Sequence, residues 1–455
     1  MKSIIKKHKI ITVLLILSIA ITVPDFSKIK NTLLLRFASP KTYMTYVETN
    51  YLRAEAKNWQ EKSKVFSSLF ENMDLTGAKI DVKINHLLTS LLKGEADSAN
   101  SADLSGISLL LLTDKKEELS LFELSAQIDE ATLASLDFLS DSGAGRIYIA
   151  CPQAGEAAIS AGGDSPKVML LNHLSRLLQA LPASVNTPLS PDPYTCLLPY
   201  LKAVTKVSLK HGVTVPATDA ALTGNQLDMQ LPLNDVLDIA NMQLTFLKSA
   251  SESTNPLLSY YEFIIWLLTC IDRHYPAELF ITAYIDNGGG IIGHEFSIRT
   301  ENNPILSLTG ILTPSKSGGK SGELTLFSSI GGQPLTILLS VSQFDFDMQT
   351  GLFTGKINIS FDRIPSIYFQ LLFGSKDKMP ELSLYVRSMG VAAALFEITP
   401  TDLPPASFPD PKAYSRTYDL TELAFFLKSL DFSGILSDFY NSTKIPPITL
   451  PSLPK

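Results

Sequence analysis

The sequence has few of the residues that usually reveal a chemistry. Only three cysteines and six histidines occur among its 455 residues, and the wide spacing of the cysteines fits neither a disulfide scaffold nor a zinc site. Charged residues make up 18% of the chain, below the roughly 25% usual in soluble domains. The net charge is −7, and no basic block follows the first nine residues, which excludes a typical nucleic-acid binder.

Catalytic motifs are missing as well. No G-x-S-x-G elbow occurs, so nothing supports a serine hydrolase of that type. The run Gly318–Ser321 ends like a phosphate-binding loop, but Pro314 stands where that loop needs its first glycine, and a hairpin turn is the favoured interpretation. His294 and Glu295 begin like a zincin motif, yet strand alternation places neighbouring side chains on opposite faces. We therefore assign no catalytic, cofactor-binding or metal-binding residue, and expect a protein that is not an enzyme and needs no cofactor.

Two weaker site hypotheses concern carboxylates and thiols. Asp345 and Asp347 share a strand face and could bind a cation with Asp286 or Asp362, although solvent-facing hairpin carboxylates are the favoured interpretation. The three cysteines fall in apolar segments, which favours buried free thiols over one disulfide: Cys151, Cys196 and Cys270.

Apolar residues, by contrast, are abundant in the sequence. Hydrophobic residues are 45% and the mean hydropathy is +0.16, so the chain can bury a large core. At the N-terminus, the basic stretch Lys2–Lys9 precedes an apolar run, Ile10–Val23, that ends at Pro24. This pattern is typical of an export signal. The run is shorter than the ~20 residues that span a bilayer comfortably.

The N-terminal segment leaves two alternatives open, a cleaved signal peptide and a short uncleaved anchor. No A-x-A box lies where cleavage would occur, which favours the anchor, with the lysines inside and the bulk of the chain outside. We expect residues 1–38 to form a cytoplasmic tail plus a signal or anchor helix. The predicted location is therefore the cell membrane, single-pass with the bulk extracellular, or secreted if the signal is cleaved.

The rest of the chain alternates helical and strand patterns. A long amphipathic helix is predicted from Ser39 and Pro40, a typical cap and first position, to Phe70. Segments that alternate apolar and polar residues follow, and residues 277–363 contain three consecutive predicted hairpins. Residues 153–166, rich in Gly, Ala and Ser, are predicted to be a loop, and a helix is predicted from Tyr194 to Val207.

These patterns predict an α+β fold dominated by long curved antiparallel sheets, half-barrel-like meanders with packed helices. Residues 39–215 and 216–400 look like one plan used twice, each with helices and a meander, which suggests a duplicated unit. Residues 401–455 are predicted to be a Pro-rich link, a C-terminal helix and an extended tail.

Two stretches carry a family resemblance. The strand–turn unit Tyr284–Gly293 resembles the repeated hairpins of lipoprotein-carrier-type (LolA/LppX-like) extracytoplasmic proteins, and Gly145–Pro152 is similar to their strand-then-proline endings. The layout of residues 40–400 also resembles uncharacterised membrane-anchored or exported proteins of Gram-positive bacteria. The resemblance implies a long antiparallel half-barrel whose helices pack on its concave face and which can shelter an acyl chain. The chain departs from the family in lacking a lipid-attachment cysteine and in being about twice the size of a simple carrier.

Two functions follow as expectations. The first is a non-enzymatic, membrane-anchored extracytoplasmic protein that binds a lipid or other apolar ligand between a sheet and its helices. The second is a structural or protein-interaction component of the bacterial cell envelope, without a ligand and with exposed apolar patches. The expected partners are the membrane, through the N-terminal helix, and either an apolar ligand or envelope proteins, but no nucleic acid.

Overall fold

The computed structural model describes most of the chain from Phe26 onward. The described ranges are 26–70, 77–84, 107–163, 168–170, 193–216, 222–250, 256–401 and 403–438, with gaps of at most four residues inside several of the longer ones. The predicted anchor run, Ile10–Val23, and the predicted extended tail after residue 440 lie outside the described residues.

Both ends of six α-helices lie within the described ranges. Their bounds are α1 (Phe26–Phe37), α2 (Pro40–Phe70), α3 (Pro193–Ala203), α4 (Leu233–Ala250), α5 (Pro256–His274) and α6 (Leu423–Ser429). None of the helices in the described ranges is both long enough and apolar enough to cross a bilayer.

The strands fall into an early and a late series. The early series is β1 (Gly77–Ile84), β2 (Ile107–Lys116), β3 (Leu119–Ile128), β4 (Ala131–Asp141), β5 (Arg146–Ala150), β6 (Ala157–Gly162), β7 (Lys206–Val215) and β8 (Leu222–Pro232). The late series is β9 (Glu278–Ile285), β10 (Ile291–Thr300), β11 (Asn303–Thr309), β12 (Thr313–Pro314), β13 (Lys320–Ser328), β14 (Leu335–Asp347), β15 (Leu352–Phe361), β16 (Ile367–Lys376), β17 (Met379–Ser388), β18 (Val391–Thr401) and β19 (Arg416–Asp419).

The chain divides into two compact units, each drawn from three separate segments. The first unit gathers the described residues within 1–61, 190–243 and 267–342, and the second those within 62–189, 244–266 and 343–455. The dividing points fall inside α2, α4, α5 and β14. The boundaries at residues 38, 215 and 400, and the duplication, stay predictions.

The first unit packs helix α2 against an antiparallel sheet. Its strands pair in the order β7–β8–β9–β10–β11–β13. Tyr43, Met44 and Val47, at helical spacing on α2, are at most 1% exposed. They pack against alternate residues of the sheet, including Leu227 and Ile285. The amphipathic stripe of α2 is therefore a core face, because apolar residues at this spacing line one side of a helix.

The second unit contains a longer ladder. Its strands pair in the order β15–β16–β17–β18–β1–β2–β3–β4–β5–β6–β19, and these pairs are antiparallel except β6–β19, which is parallel. Strand β1, early in the chain, thus lies between β2 and the late strand β18. Helix α6 packs on the β6 and β19 end through Phe426, which is 3% exposed.

The α+β class and the dominance of antiparallel sheet are confirmed. The helix beginning at Pro40 is confirmed too, since the Ser39 Oγ accepts a hydrogen bond from the Thr42 amide at 3.2 Å. The hairpin interpretation of Gly318–Ser321 is also confirmed: β12 pairs with β13, Pro314 opposite Lys320.

One predicted element is wrong, and another ends earlier than predicted. The predicted loop at 153–166 contains the buried strand β6, because its small residues fit between β5 on one side and β19 on the other. The helix predicted from Tyr194 to Val207 ends at Ala203, and β7 begins at Lys206. There the Thr205 amide bonds to the Gln230 carbonyl at 2.9 Å, so pairing with β8 overrides the helical pattern.

Candidate functional site

The candidate site is one face of the sheet in the second unit, which we call the apolar face. Residues directly opposite each other in an antiparallel pair lie on the same side of a sheet, so the strand registers define it. One row is Ile357, Leu371, Leu384, Phe396 and Val82. A second row is Phe373, Leu382, Ile398, Ile80, Leu109, Ala126 and Ala134. A third row is Ala78, Leu111, Leu124 and Leu136.

These rows contain no charged residue and no hydrogen-bonding side chain. The rows arise from simple alternation along each strand. Successive members of the rows on β1, β2, β16 and β17 are two residues apart and all aliphatic or aromatic. The strands that carry them come from three distant parts of the chain. A continuous apolar surface therefore extends from β15 across to β4.

Most of this surface is only half-buried. Leu109, Leu124, Ile357, Leu371 and Leu384 all remain partly exposed. On β4, Ser135, Asp137 and Leu139 are buried, whereas the alternate residues Leu136 and Phe138 are half-buried. Large apolar side chains are thus more accessible to water here than some polar ones on the reverse side, an inversion of the usual arrangement.

The same inversion recurs on β16. Gln370 is only 7% exposed, while its apolar neighbours Phe369 and Leu371 are half-buried. Gln370 receives a hydrogen bond from Arg387 Nη2 at 3.2 Å and donates one to Asn358 Oδ1 at 2.8 Å. The polar face is therefore held by its own hydrogen bonds at this point, and the apolar face carries the incompletely covered surface.

One end of the apolar face is aromatic. Phe373 lies directly opposite Gly355 in the β15–β16 register, and the ring of Phe344 lies 5.6 Å from that of Phe353 and 5.4 Å from that of Phe373. Phe361 and Phe369 meet edge to face at 5.9 Å. Towards β1 and β2 the surface becomes aliphatic. Such a surface offers dispersion contact and desolvation to a ligand, and no group for acid–base or nucleophilic chemistry.

The first unit holds a different feature, a buried polar pair. Glu48 of α2 is 2% exposed, and its Oε1 lies 3.1 Å from Nε2 of His294 on β10. The ring of Tyr51 meets that of His294 edge to face at 5.0 Å, and Phe296 stacks on it at 5.9 Å. Burial, with the Glu48 carboxylate as a smaller contribution, raises the pKa of Tyr200 well above its ordinary value. The pair ties helix α2 to the sheet.

His294 and Glu295 do lie on opposite sides of β10, as alternation predicts. Glu295 accepts hydrogen bonds from the Gly310 amide at 2.7 Å and from the Tyr284 hydroxyl at 3.1 Å, while His294 meets Glu48. Burial and the Glu295 carboxylate raise the pKa of Tyr284. The zincin-like pair His294 and Glu295 therefore does not form one site. The partner of His294 is Glu48 on helix α2, 246 residues earlier in the sequence.

Two of the remaining sequence candidates, Asp286 and Asp345, accept hydrogen bonds from backbone amides. Asp286 Oδ1 accepts hydrogen bonds from the amides of Gly288 and Gly290, both at 2.8 Å, and so closes the β9–β10 turn. Asp345 Oδ1 accepts from the Phe346 amide at 2.8 Å. Within the described ranges, no group of three or more His, Cys, Asp or Glu side chains could hold a metal ion.

The described thiols follow the favoured interpretation only in part. Cys151 and Cys270 form no disulfide in the described ranges, and Cys151 is buried whereas Cys270 is half-buried; burial raises the pKa of the Cys151 thiol, which makes it a poor nucleophile. The side chain of Cys196 lies outside the described residues.

Comparison with known proteins adds no family to this picture. No protein-family model, no curated protein and no solved structure matches the chain. The resemblance to lipoprotein carriers stays a prediction.

Proposed function

We propose that the chain binds a lipid or another apolar ligand on the apolar face of the second unit. The observation that supports this most is the inverted burial of β4 and β16, where Leu136, Phe138 and Leu371 stay half-buried while Ser135 and Gln370 are buried. Exposing a continuous apolar surface to water is unfavourable, and surfaces of this kind mark binding sites. An apolar ligand would cover the surface without needing a polar contact.

The proposal includes a finer description of the architecture and the location. The sheet of the second unit curves as a half-barrel, helices pack on its apolar face, and the two units derive from one duplicated plan. The N-terminal run Ile10–Val23 exports the chain and anchors it in the cell membrane, with the bulk outside. The support for this part is the sequence pattern and the resemblance to lipoprotein carriers.

The proposal is tested with cis-parinaric acid, a fluorescent fatty acid, titrated into the full-length chain. Leu384→Asn places an amide in the middle of the first apolar row, and Ser383→Asn places the same amide on the polar face of the same strand. Because burying an amide without a partner costs about 1–3 kcal/mol, we expect Leu384→Asn to raise the dissociation constant for cis-parinaric acid by about tenfold or more. We expect Ser383→Asn to leave that dissociation constant unchanged.

Two results would contradict the proposal. One is no binding of cis-parinaric acid or of phospholipid by the wild-type chain. The other is equal affinities for the two variants, which would place any binding away from the apolar face. Far-ultraviolet circular dichroism of both variants confirms that each is folded.

A second candidate is an envelope interaction protein. It is favoured by helix α6, whose Leu423, Phe425 and Leu427 are 45%, 63% and 52% exposed. These three side chains alternate around the buried Phe426, which holds the helix to the sheet. Sedimentation of the wild-type chain and of Phe425→Ser distinguishes this candidate: self-association that the substitution abolishes, with no lipid uptake, supports it.

A further inference from the structure

The C-terminal part of the second unit is fastened to one edge of the sheet. We call residues 410–433 the strap. Strand β19 within it pairs in parallel with β6, and the Ser415 amide bonds to the Glu156 carbonyl at 2.9 Å. Further on, Phe426 is buried among Ala157, Ile159 and Tyr418, and the Asp431 amide bonds to the Ala154 carbonyl at 2.7 Å. The strap therefore covers what would otherwise be an open strand edge.

A buried carboxylate lies on the strand ladder next to this edge. Asp137 on β4 is 6% exposed, and its Oδ1 is buried without a hydrogen-bond partner. Directly opposite it on β3 is Glu123, a second carboxylate. Across on β5, its neighbour is Ala150, which precedes the buried Cys151. Within the described part of the chain, no basic side chain forms an ion pair with Asp137.

Tyr414 of the strap interacts electrostatically with the Asp137 carboxylate. The hydroxyl of Tyr414 is buried and also lacks a hydrogen-bond partner, and its ring stacks on Tyr148 of β5 at 6.1 Å. Burial, followed by the Asp137 carboxylate, raises the pKa of Tyr414 to about 12. Two uncompensated polar atoms, one on the sheet and one on the strap, are thus desolvated together, and each costs free energy while it is unpaired.

We propose that Asp137 makes the strap a pH-responsive latch, which is docked more firmly when the Asp137 carboxyl is protonated and released more readily when it is ionised. Docking desolvates the carboxylate beside Glu123, whereas release returns it to water. This inference does not depend on the proposed function, because Asp137 points to the face opposite the apolar face.

The direction of the pH dependence follows from linkage. Burial, partly offset by the hydrogen bond with Ser135, raises the pKa of Asp137 from 3.8 to about 6. A raised pKa in the docked state means that docking takes up a proton, so the docked strap is favoured below about pH 4 and loses that advantage as the pH rises through about 6. The other groups facing Asp137 are Glu123 from β3, the Cys151 thiol after β5, and Tyr148 and Tyr414.

Hydrogen exchange of the full-length chain tests the latch. The informative amides are those that the strap uses, Ser415 and Asp431, and those of β19. If docking causes the whole displacement of the Asp137 pKa, their protection rises up to about tenfold between pH 7.5 and pH 5.0, after correction for intrinsic exchange. In Asp137→Asn, which keeps the shape of the side chain and cannot ionise, protection is the same at both pH values.

The matched control is Asp81→Asn, a half-exposed carboxylate of the same sheet that pairs with Lys79, and it keeps the wild-type pH response. Three results overturn the latch. They are a wild-type protection that does not change with pH, a change that Asp137→Asn retains, and a change that is equally large in the amides of β16 and β17, which would mean a global effect on stability.

Discussion

At the scale of residues, the most consequential contact outside the apolar face is the buried pair of Glu48 and His294. Removing one member of a buried pair leaves the other desolvated and unpaired, which costs about 3–5 kcal/mol. We therefore expect Glu48→Ala to lower the free energy of unfolding of the first unit by about 3 kcal/mol, measured by urea denaturation.

Glu55→Ala is the matched control, because Glu55 lies on the same helix and is exposed; a change within about 0.5 kcal/mol is expected there. Equal effects of the two substitutions would mean that the Glu48–His294 contact contributes nothing to stability. The sequence did not predict this pair, since Glu48 stands next to Val47 in an apolar stripe and its partner is 246 residues away. A carboxylate inside the core-facing stripe of a helix was the signal that could have indicated it.

At the scale of elements, the start of helix α2 is where sequence chemistry and structure agree most closely. Ser39 caps the helix by accepting a hydrogen bond from the Thr42 amide at 3.2 Å, and Pro40 occupies the first turn, where its missing N–H costs nothing. Ser39→Ala should destabilise the first unit by about 1 kcal/mol, measured by urea denaturation.

The contrast for that substitution is Asn50→Ala, at an exposed position in the interior of α2. Alanine is the better helix former, so a stabilisation of a few tenths of a kcal/mol is expected there. If Ser39→Ala is as harmless as Asn50→Ala, the cap is not what determines where this helix begins.

Hairpins with polar turns were predictable because alternation and turn residues are local signals. The strands β9 and β10, within the predicted hairpins of residues 277–363, pair in the predicted way. Strand β6 was not predictable in this way, because its small residues are typical of a loop. Its strand conformation depends on pairing with β5 and with β19. Strand β19 lies about 260 residues further along the chain, where Arg416 pairs with Ala157. Elements specified by local pattern were found, and elements specified by distant backbone pairing were missed.

At the scale of the whole molecule, the apolar face is assembled from distant segments. Ile80 on β1 lies between Ile398 on β18 and Leu109 on β2, a register that no local pattern encodes. Alternation predicted that each strand has an apolar side, but only the pairing shows that these sides join into one surface. The incomplete burial of that surface could not be predicted from the sequence, because it depends on what packs above the sheet.

We propose that this surface holds an apolar ligand, and identifying the compound that the purified protein carries tests this best. The full-length wild-type chain and Leu384→Asn are purified side by side, each is extracted with organic solvent, and both extracts are analysed by mass spectrometry. We predict a defined apolar compound at close to one equivalent in the wild-type extract and much less in that of Leu384→Asn. Identical extracts from the two proteins, or an empty wild-type extract from a chain that also takes up no lipid from vesicles, would contradict the account.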